Sequence, residues 1–145
     1  MLVGNGTDAS PQINQLYRNN GSGSFTLAER LGNLPSDDIL AADFNNDGHL
    51  DLFIGNRSGP SLCMLGTGGG EFVPDRGEVF GSLEITDLSG LCAVDRDGDG
   101  DQDVFVVRKH ADPLYLDNRT ERRTAITARL LGVASNWDAI GARAT

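Results

Sequence analysis

The chain has 145 residues, enough for one domain with a hydrophobic core of its own, and a formal charge of −9 sets it against a nucleic-acid backbone as partner. Its 19 glycines point to many turns and short elements rather than long helices. Of 21 acidic residues, three fall in 43–51 and five in 95–103, so the negative charge is concentrated in two places rather than spread for solubility.

In chain order, "MLVGNGTDAS" has neither the basic stretch nor the apolar stretch of a signal peptide. Residues 2–5 read as the tail of a strand, and the chain is expected to be a segment of a longer protein. "LYRNNGSGSF" (16–25) reads as a strand, a Gly-rich turn and the Phe that opens another strand. "ILAADFNNDGHLDLFI" (39–54) is an apolar run, an acidic loop and a second apolar run, followed by "SLCML" and the Gly-rich "GTGGGEF". This predicts strands at about 39–42, 50–55, 61–65 and 71–74. Residues 75–90 have no clear counterpart elsewhere in the chain. "LCAVDRDGDGDQDVFV" (91–106) repeats the pattern of 39–54, and "LYLDN" (114–118) begins another copy of the following segment. Cys63 and Cys92, each in an apolar run, are expected to be buried thiols; neither C-x-x-C nor a disulfide framework is present. No apolar run is long enough for a membrane-spanning helix.

Aligning Asp43 with Asp95 superimposes apolar run, acidic loop and apolar run, a repeat of roughly fifty residues. Four short strands in about fifty residues is the size of one β-propeller blade. The expected fold is therefore all-β: a partial β-propeller of roughly two and a half four-stranded blades, with units at about 1–37, 38–90 and 91–118. The repeat stops at Arg119, leaving 119–145 as a separate segment.

The two loops share the pattern D-x-[DN]-x-D-G-x-x-D. Alternating oxygen donors on a chain that curls back on itself suit calcium, which takes six to eight oxygens at about 2.3–2.6 Å and tolerates irregular geometry. Two Ca2+ sites are expected. Asp43, Asn45 and Asp47 would supply one, with Asp51 closing the shell and His49 giving its backbone carbonyl. Asp95, Asp97, Asp99 and Asp103 would supply the other, with the carbonyl of Asp101, whose side chain is expected to face solvent. Gly48 and Gly100 sit where the loop must turn sharply. Magnesium fits less well because it demands a rigid octahedron, and zinc or copper would call for His or Cys ligands. Plain acidic hairpin turns are the competing reading. An EF-hand is disfavoured by Ile54 and Val106, which stand where its twelfth-position Glu belongs.

At "ADFNNDGHLDLFIGN" and "LYRNNGSGSFT" the chain resembles the FG-GAP/VCBS repeats of integrin-α-like β-propellers. The resemblance covers about 2–118, although Val107-Arg108 replaces the Gly-Asn that follows the equivalent strand. "SNWDAIGARAT" (135–145) resembles the opening of the ASPIC/UnbV domain found in cartilage-acidic-protein-like proteins. The resemblance implies an extracellular or cell-surface calcium-binding propeller acting in adhesion or recognition, with another protein or an extracellular glycan or matrix component as partner.

No catalysis is expected. His110 lies at a turn without a nearby nucleophile, no Walker A loop or G-x-S-x-G elbow occurs, and calcium needs the clustered carboxylates ionised together whereas a general acid needs one held protonated. The alternative is an accessory propeller of a larger secreted hydrolase or lyase. Four N-x-[ST] sequons, at Asn5, Asn20, Asn56 and Asn118, fit secretion and ordinary turn chemistry equally.

Overall fold

Short apolar runs broken by Gly, Asn and Asp leave no length over which a helical stripe could repeat. Among the described residues, 1–4 and 13–120 of this computed structural model, the chain forms strands and no helix. The strands are β1 (Leu2–Val3), β2 (Asn14–Asn19), β3 (Phe25–Leu31), β4 (Ser36–Ala42), β5 (Asp51–Asn56), β6 (Leu62–Gly66), β7 (Phe72–Pro74), β8 (Leu88–Val94), β9 (Asp103–Arg108) and β10 (Leu114–Leu116). They form three antiparallel meanders: β1-β2-β3, β4-β5-β6-β7 and β8-β9-β10. The middle sheet thus has the four strands expected of a full unit, and the third has three among the described residues.

The repeat extends to register. Leu40 faces Phe53 as Cys92 faces Phe105, and each first strand carries an irregularity at the same place, between Ser36 and Asp38 and between Leu88 and Gly90. Such a bulge lets the strand bend without losing the pairing on either side.

Strand β5 is buried along its whole length because it is covered on both faces. Leu52 and Ile54 join Leu31 and Met64 in one core cluster, which Leu16 flanks from the first sheet. Phe53 points the other way, into a second cluster with Phe44, Phe80, Leu88, Val104 and Val106. Phe80 lies edge-on to Phe44 and to Phe53, with centroids 5.2 and 5.7 Å apart.

Residues 75–87, for which the repeat suggested no role, form no strand, yet Val79, Phe80 and Ile85 from this stretch fill the second cluster. Main-chain bonds hold the segment down: Ser61 N donates to Leu83 O at 3.1 Å and Arg119 N to Val79 O at 2.7 Å. One of the two thiols differs from expectation. Cys63 is buried, and burial pushes it up from its ordinary value, but Cys92 is exposed because its face of β8 is uncovered. The ASPIC/UnbV-like stretch lies outside the described residues.

Candidate metal centre

Each acidic loop joins the first and second strands of its sheet, β4 to β5 and β8 to β9. A loop of alternating carboxylates can form without an ion only if the charges find donors, and main-chain N–H groups supply them. In the first loop Asp43 Oδ1 accepts from Asp47 N (3.1 Å) and its Oδ2 from Gly48 N (2.8 Å). Asn45 Oδ1 accepts from Asp47 N (3.1 Å), and Asp47 Oδ1 from His49 N (2.8 Å). The second loop repeats the scheme: Asp95 accepts from Gly98 N (2.8 Å) and Gly100 N (3.2 Å), Asp97 from Asp99 N (3.3 Å), and Asp99 from Asp101 N (3.2 Å).

Gly48 and Gly100 adopt left-handed φ values of 88° and 96°, as the turn requires. A second left-handed position, two residues earlier, is Asn46 (φ 55°) in one loop and Gly98 (φ 78°) in the other. It was not singled out from the sequence, although Asn and Gly are the residue types that tolerate this conformation and both stand there.

Side-chain oxygens of Asp95, Asp97 and Asp99 lie within 4.8 Å of one another. Oxygen-only donors at this spacing match the chemistry of a hard cation and offer a soft metal nothing. In the first loop Asn45 takes the middle place, and its Nδ2 donates to Asp47 Oδ2 at 3.0 Å. His49 is exposed, and its ring lies against the Gly-rich turn: a Cβ on Gly68 would sit 2.6 Å from His49 Cε1.

The ninth-position carboxylates face inward. Asp51, fully buried, accepts from Phe44 N (2.8 Å) and Asn45 N (3.3 Å) at the start of its loop and from Gly66 N (2.8 Å) at the end of β6. Asp103 accepts from Arg96 N (3.1 Å), Asn118 N (2.9 Å) and the Tyr115 hydroxyl (2.6 Å). Burial raises the Asp51 carboxyl above its ordinary value, against the three N–H donors that lower it. A carboxylate has about four lone-pair sites, so three hydrogen bonds still leave Asp51 and Asp103 capacity toward an ion.

Asp101 departs from expectation. It is only 4 % exposed rather than turned to solvent. Burial first, then a hydrogen bond to Asp99 and the charges of Asp99, Asp103 and Asp97, push its carboxyl up to about 7. Arg96, 4.6 Å above the Tyr115 ring, brings a cation to the same loop.

Asn56 and Asn118 are buried, with their amide nitrogens donating to Pro60 O (2.6 Å) and to Phe44 O (2.7 Å) and Gln102 O (2.9 Å). Both sequons are therefore structural in this fold. His110 is exposed at a turn, its Nδ1 3.1 Å from Asp87 Oδ2.

No curated protein and no solved structure matches the chain. A protein-family model described as an FG-GAP-like repeat matches it twice, over residues 1–54 and 43–106. The two matches overlap across the first acidic loop and together take in both loops and the strands around them. On this evidence the chain belongs to the FG-GAP-like repeat family.

Proposed function

We propose that the chain is a calcium-binding segment of a β-propeller, part of an extracellular protein that acts in adhesion or recognition and carries no catalysis of its own. The observation that supports this best is the trio Asp95, Asp97 and Asp99, three carboxylates converging within 4.8 Å on a loop that also occurs, with one amide substitution, in the preceding repeat. Calcium would offset the charge of Asp95, Asp97, Asp99 and Asp103, which Arg96 alone does not balance, and the side chains of Asp43, Asn45 and Asp47 would hold the ion in the first loop. With its ion bound, each hairpin is fixed at the edge of its sheet. FG-GAP repeats are typical of extracellular proteins, where calcium is plentiful, so sites with dissociation constants of about 10⁻⁴–10⁻³ M suffice. The partner is a protein, or a glycan or matrix component, met by loops rather than by a catalytic cleft.

Thermal unfolding tests the reading. At ten times the dissociation constant each site adds about 1.4 kcal/mol of stability by mass action. The melting temperature should rise in calcium over chelator, magnesium should do less, and Asp99→Ala should lose about half of the gain. Identical melting curves in calcium and in chelator would sink the proposal.

A further inference from the structure

Asn118, buried just after β10, touches both acidic loops at once. It stands where the middle sheet has Gly66. The main-chain N–H of each donates to the ninth-position carboxylate of its own loop, Gly66 to Asp51 at 2.8 Å and Asn118 to Asp103 at 2.9 Å. Gly66 has no room for more, since a Cβ on it would lie 2.3 Å from Leu50 O. Asn118 adds an amide, whose Nδ2 donates to Gln102 O (2.9 Å) in the second loop and to Phe44 O (2.7 Å) in the first. The Thr120 hydroxyl donates to the same Phe44 carbonyl at 3.1 Å. Phe44 N in turn donates to Asp51 Oδ2 at 2.8 Å. Hydrogen bonds therefore run from Asp51 through Phe44 and Asn118 to Asp103, and all four residues are buried.

We propose that this bridge couples the two cation sites, so that filling either loop tightens the other. The inference rests on the calcium reading above and goes beyond it by making the two sites one unit. The physical reason is shared ordering. A carboxylate fixed by a cation fixes the groups bonded to it: holding Asp103 holds the Asn118 main chain, and the Asn118 amide then holds Phe44 and, through the Phe44 N–H, Asp51. A cation entering the other loop finds the bridge already in place and has less motion to remove. That gives positive coupling without a change of shape. Burial keeps water from replacing any link of the chain, and a hydrogen bond in such surroundings is stronger than one in solvent. Two acidic turns joined only through solvent would fill independently. By linkage, each site must raise the affinity of the other by the same factor.

Calcium titration of the full chain followed by NMR tests this. The amides of Gly48 and Gly100, each bonded to the first carboxylate of its loop, report the two sites separately. Asp99→Ala disables the second loop and should weaken calcium binding at Gly48 by about fivefold or more, and Asp47→Ala should weaken it at Gly100 by the same factor. Asn118→Gly keeps the main-chain N–H and removes the amide. In that background both sites should remain, and adding Asp99→Ala should no longer change the response of Gly48. Thr120→Val removes one hydroxyl from the bridge and should lower the coupling while keeping both sites; it decides the matter if Asn118→Gly does not fold. Equal affinity at Gly48 with and without Asp99→Ala would overturn the coupling and leave the calcium reading standing. So would an affinity at Gly48 that rises in Asp99→Ala, which marks repulsion between the ions, or a coupling that the bridge variants leave undiminished. A folded wild-type chain in which neither glycine responds to calcium removes the calcium reading itself, and the coupling with it.

Discussion

Asp51 and Asp103 show why a carboxylate stands at the ninth position of each loop even before a cation is considered. Each ties the start of its loop to the strand or segment beyond the next hairpin, Asp51 through Gly66 N and Asp103 through Asn118 N. The sequence pattern marked these residues as loop members. It could not show that their partners are main-chain N–H groups fifteen residues further on, because a backbone donor leaves no trace in side-chain identity. Asp101 was misread for a related reason. Its neighbours in sequence suggested solvent, whereas the fold tucks it beside Asp99. Replacing Asp51 with Asn keeps the shape but turns an amide N–H toward a main-chain donor. A buried polar group left unsatisfied in this way costs about 1–3 kcal/mol, so urea unfolding of chelator-treated Asp51→Asn should show a loss of that size.

Strands were legible where apolar runs met turn residues, and the two loops made their alignment unambiguous. The stretch 75–87 was not, because it contributes to the core without forming strands and so has no period to read. The contact of Gly55 with Leu88, where a Cβ on the glycine would lie 2.5 Å from Leu88 Cδ1, belongs to this scale as well. Gly55→Ala should cost about 1–3 kcal/mol by overpacking, and in the background of Leu88→Ala the same change should cost much less, a coupling that a double-mutant cycle measures directly. A second junction between these sheets is ionic. Asp37 on β4 receives Arg57 (2.6 Å) and Lys109, which follows β9. Burial alone would raise the Asp37 carboxyl, but the hydrogen bonds and charges of Arg57 and Lys109 outweigh it and hold it below its ordinary value of 3.8. A carboxyl lowered in the folded state stabilises above its unfolded value, and that contribution is lost as pH falls through the folded one. Since Arg57 and Lys109 are about a third exposed, Asp37→Asn should cost only about 1 kcal/mol near neutrality. The gap from wild type should close below about pH 4, as read from urea midpoints across that range.

For the molecule as a whole, stacked antiparallel sheets and paired loops follow from one repeat copied along the chain, and the family match rests on the same copies. The same repeat sets the state of the two acidic loops. Their carboxylates satisfy one another's main-chain donors, so each loop is folded around a set of oxygens that a cation can share. Among the described residues no helix is long and apolar enough to cross a membrane, and the alternating loops are the strongest chemical feature present. Calcium binding by these loops is tested by a calorimetric titration of the chelator-treated chain with calcium. Two sites of micromolar to millimolar affinity are expected. No heat of binding from a chain that circular dichroism shows to be folded would contradict this, and would return both loops to plain acidic turns.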